Sequence, residues 1–270
     1  MSSSNSIFSI TVLPGKNKNG NIENFTEILL SPGDVLSIVG PTGSGKTALI
    51  NDIEVLAQGD TVTGRTILVN GQTPADELIR DPSMKPIAMI TQNTKCLADL
   101  TVREFLEMHL RSRKIKDLSL IEKTVATANK FTGEKIRADM RICSLSGGQT
   151  RSLFIADAVI ISNTPIILLD ELENAGIFKE KVIEELRSLQ KTTIFVTHDP
   201  YVALLTDRRI VMENGTVKCI LEPGNREKEI LLKISEMDKE LSEFRERIRD
   251  GELLSDKEYT KKPAAECVPI

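Results

Sequence analysis

The sequence predicts an α/β fold: a mostly parallel sheet, with antiparallel strands on its N-terminal side and helices over both faces. Three observations predict it. Apolar runs of strand length, "VLSIVG", "IAMIT", "IILLD" and "TTIFVT", lack polar alternation and read as strands buried on both sides. Segments of helical periodicity lie between them, and strand–helix alternation implies a parallel sheet with crossover helices. One strand also runs straight into "GPTGSGKT", a glycine-rich turn that opens a helix.

Taken in order, residues 7–13 and 25–30 carry the first apolar runs, separated by "GKNKNGN", a hairpin or loop. "SPGD" turns the chain into the buried strand "VLSIVG", and a helix is expected from about Lys46. "TILVNGQ" reads as a strand and turn, and "IAMITQN" as another buried strand. From Thr101 to about Lys130 the period becomes helical, with Val102, Phe105, Leu106, His109 and Leu110 on one face and a second run from near Leu118. This is a helical insert between two core strands. A helix follows through "TRSLFIADAVII", then a strand at 166–169, a helix at 178–190 and the strand "TTIFVTH". "RRIVMENGTVKCIL" closes a last strand pair on an Asn-Gly turn.

Beyond "EPGN" the composition shifts to charged helix formers. Ile230, Ile234, Met237, Leu241, Phe244 and Ile248 recur there at alternating steps of four and three. About three heptads are marginal for an independent coiled coil, so docking on the parent domain or on a partner is equally expected. The end, from Gly251, is expected to be loose.

With 270 residues, 40% of them hydrophobic, the chain can bury a full core. Its 35 basic and 39 acidic residues leave a net charge of -4, which gives no general bias toward a nucleic-acid or anionic-membrane partner. Cys96, Cys143, Cys219 and Cys267 form no metal-ligand spacing and read as reduced thiols, and two histidines are too few for a His-rich metal centre. "MSSSNSIFSITVLPGK" has neither a basic n-region nor a long apolar h-region, and nowhere do about 18 apolar residues run together. A cytoplasmic chain that does not span a membrane is expected.

Gly40, Pro41, Thr42, Gly43, Ser44, Gly45, Lys46 and Thr47 match G-x-x-x-x-G-K-[ST] at every defined position. Such a loop curls backbone N–H groups around phosphate oxygens at a helix N-terminus. Lys46 would reach the β and γ phosphates and the Thr47 hydroxyl would ligate Mg²⁺. "IILLD" leaves Asp170 at the carboxyl end of a buried strand, where open α/β sheets place ligands, and Asp170 would hold the metal through water. Glu171, one residue on, is placed to orient or deprotonate the water that attacks the γ-phosphate.

With "LSGGQ" at Leu145–Gln149 the chain resembles the free-standing nucleotide-binding subunit of ATP-binding cassette (ABC) ATPases. The resemblance covers about residues 5–222. In order it shows the phosphate loop, Gln92 after "IAMIT", the signature "LSGGQ", the strand "IILLDE" and His198 in "IFVTHD". It implies an ATP-binding domain at 1–222 with a helical lobe at about 95–150, and a charged helical appendage at 223–270. ATP and Mg²⁺ are the implied cofactors. Two cassettes would pair head to tail, as homodimer or ABC heterodimer, so that Ser146, Gly147, Gly148 and Gln149 of one meet the nucleotide on the other. Gln92 would sense Mg²⁺ and the attacking water, and His198 would contact the γ-phosphate.

Two stretches depart from the family pattern. "GKNKNGN" has no aromatic residue to stack on adenine, Phe8 and Phe25 being read as strand residues, so weak discrimination between ATP and GTP is expected. "LENAGI" puts Gly176 and Ile177 where a Leu and an Asp usually help the two sites communicate. Thr150 and Asp157 stand at commonly basic positions and are expected to alter surface charge more than chemistry. The resemblance implies an ATPase powering an ABC transport system, peripheral on the inner face of the cell membrane through a separate permease. The alternative is a soluble ABC ATPase that remodels or scaffolds a protein or nucleic-acid partner.

Overall fold

The computed structural model describes residues 9–252 except 82–83, 92–93, 95–98 and 172–175. The chain divides after Glu222 into two compact units. The first holds two sheets. β1 (Ile10–Leu13) pairs antiparallel with β2 (Ile28–Leu30) on one side and β4 (Thr66–Val69) on the other. The larger sheet has the order β5-β6-β7-β3-β8-β9, with β3 (Val35–Val39), β5 (Ile87–Ile90), β6 (Ile166–Asp170), β7 (Thr192–Val196), β8 (Arg208–Glu213) and β9 (Thr216–Leu221). All its pairings are parallel except β8 with β9, which turns back on itself through the expected Asn214-Gly215 turn.

The period of two along the central strands sorts side chains between two cores. Ile166 and Leu168 of β6, with Ile194 and Val196 of β7, face a core shared with β1, β2, β4 and α1 (Lys46–Glu54). Ile167, Leu169 and Phe195 face the other core, shared with α3 (Val102–Ser112), α4 (Ser119–Phe131), α5 (Gly147–Ile160) and α6 (Lys179–Ser188). Burial on both faces is why these strands read as continuous apolar runs. The helical insert between β5 and β6 therefore shares its core with the sheet. Two short helices, α2 (Asp76–Arg80) and α7 (Pro200–Leu205), were not expected. The expected helix at 178–190 runs from Lys179 to Ser188, with Phe178 as its N-cap. The second unit's described secondary structure is one helix, α8 (Asn225–Arg249). Among the described residues, no helix is long and apolar enough to cross a membrane.

The expectation for Thr150 and Asp157 is corrected. Both lie on α5 and are buried, and Asp157 Oδ2 meets His109 Nδ1 of α3 at 2.7 Å, with the imidazole tilted against Phe105. Burial and the Asp157–His109 contact mean that surface charge is not what these two residues set.

A buried ion cluster ties the first unit together. The Arg65 side chain is fully buried and donates Nε and Nη2 to the two carboxylate oxygens of Glu23, each at 2.7 Å. Its Nη1 reaches Asp52 of α1 at 3.0 Å, and Nη2 also reaches the Gly215 carbonyl at 3.0 Å. Glu23 further accepts from the Gly15 and Val217 backbone N–H groups. Burial pushes the Glu23 carboxyl up, but the hydrogen bonds from Arg65 and the Gly15 backbone more than reverse this and hold it below its ordinary value of 4.5.

Arg65→Met should therefore destabilise the fold by about 3–5 kcal/mol, since it strands two buried carboxylates; chemical denaturation measures it. The sign of the pH dependence follows from Glu23. A carboxyl whose folded pKa is depressed adds stability that is complete above its unfolded value near 4.5 and is lost as pH falls through the lower folded value. Glu23→Gln should flatten that acid limb of the stability curve; an unchanged limb would show that Glu23 does not carry it.

Candidate nucleotide site

The carboxyl ends of β3, β6 and β7 lie side by side, because Ile38 pairs with Val196 and Val196 with Asp170. Each strand delivers one part of the site at that edge. β3 runs into the loop Gly40–Gly45, and α1 begins at Lys46. Glycine is demanded here by geometry. Gly40 has φ 147°, and a Cβ on it would lie 2.4 Å from the Met212 carbonyl oxygen. Gly45, the N-cap of α1, has φ 102°, and a Cβ there would lie 2.9 Å from Gly215 Cα. The Gly215 N–H in turn donates to the Ser44 carbonyl at 2.8 Å. The β8–β9 turn thus backs the loop, and Arg65 holds the turn.

Lys46 is buried, and its Nζ donates to the Gly40 and Pro41 carbonyls at 2.8 and 3.1 Å, lying across its own loop. Burial pulls its ammonium below the ordinary lysine value, and the charges of Glu171 and Asp170 pull the other way. Thr42, Gly43, Lys46 and Thr47 line a cavity of about 250 Å³ with Thr91, Asp170, Glu171, Val196 and His198. Phosphate-loop lysine, hydroxyl, paired carboxylates and histidine, from Thr42 near the start to His198 far along the chain, therefore share one pocket.

Glu171 sits at φ 52°, in the left-handed region that a non-glycine residue occupies at a cost of about 1–2 kcal/mol. Its N–H donates to the Val196 carbonyl at 2.9 Å, which pins the backbone and turns the carboxylate into the cavity. His198 is framed from both sides. Thr197 Oγ1 accepts from the Asp199 N–H at 2.9 Å, Asp199 Oδ1 caps α7 by accepting from the Tyr201 N–H at 2.8 Å, and Lys179 of α6 pairs with Asp199. Gln92 lies outside the described residues; its neighbour Thr91 lines the cavity and hydrogen-bonds Thr94.

The signature residues are elsewhere. Ser146 is the N-cap of α5: its hydroxyl accepts from the Gln149 N–H at 3.2 Å, while Gln149 Oε1 accepts from the Ser146 N–H at 2.9 Å. This S-x-x-Q arrangement is a capping box. Gly147 and Gly148 occupy the first helical turn, whose N–H groups have no partner within a helix. Gln149 is itself buried, and its Nε2 reaches the Lys135 carbonyl at 3.3 Å. None of Ser146, Gly147, Gly148 and Gln149 is among the cavity's lining residues.

Sequence reasoning missed two residues. Thr91 is one, and Lys18 is the other: within "GKNKNGN" its Nζ donates to the Gly43 carbonyl at 2.5 Å, putting an ammonium beside the loop. Lys18 had no recognisable partner spacing, though a lysine in the stretch opposite a phosphate loop was a usable signal. Phe25 packs against the core and Phe8 lies outside the described residues. Of the departing "LENAGI", residues 172–175 lie outside the described residues; Ile177 is buried in the core and bridges Thr132. Among the described residues no cluster of three or more His, Cys, Asp or Glu side chains could hold a metal.

Residues 25–174 match the model of a family described as ABC transporter. The chain is 49% identical over 246 residues to an uncharacterised ABC transporter ATP-binding protein of Methanocaldococcus jannaschii, covering 91% of this chain and 94% of that one. It is 31% identical over 210 residues to a spermidine/putrescine import ATP-binding protein of Mannheimia succiniciproducens, covering 75% of this chain but only 54% of that protein, so it spans about half the length of that import subunit. Its fold is similar to that of an ATP-binding cassette solved as a post-hydrolysis dimer with ADP and Pi, with TM-score 0.61 and 24% identity over 80% of this chain and 99% of that one. With the phosphate loop and the paired carboxylates in one cavity, the chain belongs to the ABC transporter family and is an ATP-binding cassette ATPase.

Proposed function

We propose that the protein hydrolyses ATP with Mg²⁺ at the interface of a head-to-tail dimer and powers transport through a separate membrane permease, on the cytoplasmic side. One observation carries the reading. The cavity gathers Lys46, Thr47, Asp170, Glu171 and His198, whereas the capped N-terminus of α5 with Ser146, Gly147 and Gly148 does not line it. Half of the expected phosphate ligands must then come from a second copy.

The loop N–H groups and the α1 N-terminus would take the β-phosphate, and Lys46 would leave the Gly40 and Pro41 carbonyls for the phosphate oxygens. Thr47 and Asp170 fit Mg²⁺, a cation that keeps several waters and is held by one or two protein oxygens together with substrate phosphates, so a three-carboxylate cluster is not required. When bound, the ion would neutralise charge between the β and γ phosphates. Glu171 orients the attacking water and accepts its proton as the bond from the γ-phosphorus to the bridging oxygen breaks, giving ADP and phosphate. His198 holds the γ-phosphate, and Gln92, next to Thr91, joins the water to the helical insert. Ser146 and the Gly147 and Gly148 N–H groups of the partner cover the γ-phosphate, with Gln149 holding their helix cap. The stretch "GKNKNGN", which has no aromatic residue to stack on a base, supports loose selection between adenine and guanine.

Glu171→Gln should keep ATP affinity within about twofold and lower turnover by about 10²–10⁴, since the amide keeps the shape but takes no proton. Phosphate release in steady state measures this, and near-normal turnover sinks the assignment. Ser146→Arg, built into the Glu171→Gln chain, should bind ATP yet show no ATP-driven gain in dimer in sedimentation with Mg-ATP. ATP-driven dimers of that double variant would overturn the composite site. Co-purification of a multi-span protein from native membranes supports the transport role; recovery only from the soluble fraction with a soluble partner argues for remodelling instead.

A further inference from the structure

We propose that α8 forms a parallel, in-register two-stranded coiled coil with α8 of a second copy of this chain. The apolar stripe is exposed: Ile230, Met237, Leu241 and Ile248 are 48%, 66%, 48% and 59% accessible. Its spacing fixes the heptad register, with Ile234, Leu241 and Ile248 at a and Ile230, Met237 and Phe244 at d.

The charges flanking the stripe select the partner and its direction. Lys233 and Glu240 fall at g, and Asp238 at e. In a parallel pair each g residue meets the e residue five positions on in the other helix. Lys233 then meets Asp238, its opposite in charge, and two-fold symmetry makes the pair twice. In the antiparallel pair that superposes the same stripe, Glu240 meets Glu240 and Asp238 meets Asp238, so like charges oppose it. Residues five apart on one helix sit about 140° apart around its axis, so this pair cannot form within a single α8. Arg247 Nε donates to Glu252 of its own chain at 2.6 Å.

About three heptads give a weak, reversible coil on their own, which an intermolecular disulfide can trap. The inference does not rest on nucleotide-driven closure, and its test omits nucleotide. In the full-length chain, Leu241→Cys at a and Lys239→Cys on the outer face at f are oxidised mildly, and the intermolecular disulfides are mapped by mass spectrometry. A disulfide between the two thiols introduced by Leu241→Cys, in a yield at least about tenfold above that from Lys239→Cys, is expected, because facing a positions lie within disulfide reach. No such bond, or equal yields at both positions, overturns the proposal. In the Leu241→Cys chain, Lys233→Glu should lower the yield about tenfold by turning two exposed attractions into repulsions, and adding Asp238→Lys should restore it. A single reversal without effect, or a double reversal without recovery, overturns the parallel register.

Discussion

The Arg65 guanidinium, buried among Glu23, Asp52 and the Gly215 carbonyl, is the interaction on which the nucleotide site depends. Its partners come from the segment after β1, the helix that follows the phosphate loop, and the turn between β8 and β9. Taking these charges out of water is costly, and only a nearly complete set of hydrogen bonds offsets it. The same set leaves little freedom to α1 or to Gly215, which presses on Gly45 and donates to Ser44. A loop made mainly of glycine, serine and threonine has little stiffness of its own, so its shape is imposed by this frame.

Strand order does the rest. A helical crossover separates each pair of parallel strands in sequence, yet the order β5-β6-β7-β3 sets four carboxyl ends next to one another, and Thr91, Asp170, His198 and the phosphate loop follow from those ends. The capping box at Ser146 belongs to a helix whose body is fixed in the opposite core, through Leu153, Ile155 and Ala156. In the proposed reading, one chain carries two complementary half-sites held apart by its own packing, an arrangement suited to a partner identical to itself.

What was legible in the sequence was local. The phosphate loop, the buried strand ending in Asp170-Glu171, the Asn214-Gly215 turn and the order of the central elements are each carried by a few adjacent residues whose backbone needs are distinctive. The pairing of β4 with β1 was not legible, because "TILVNGQ" carries no mark of which neighbour it will find. Glu23, Asp52 and Arg65 are separated by long stretches of ordinary polarity, so nothing local announces that they meet. Asp157 read as a surface change because an acid in a helix is most often solvated; the matching His109 stood on another helix, counted among apolar residues. The signature was legible as a motif, while its physical content as a capping box, with Ser146 and Gln149 bonded to each other's backbone, emerged only with the helix in place. Gln92 and residues 172–175 lie outside the described residues, and their roles stay with the family pattern.

The left-handed backbone at Glu171 separates what the fold wants from what the chemistry wants. Glycine or asparagine would sit there with less strain than glutamate does. A directed-evolution screen that rewards thermal resistance alone would thus be drawn toward replacing the residue on which turnover is expected to rest, and a hardened variant of this cassette could be obtained at the expense of its activity. That the chain carries the less comfortable side chain there is what the proposed catalytic role of Glu171 requires.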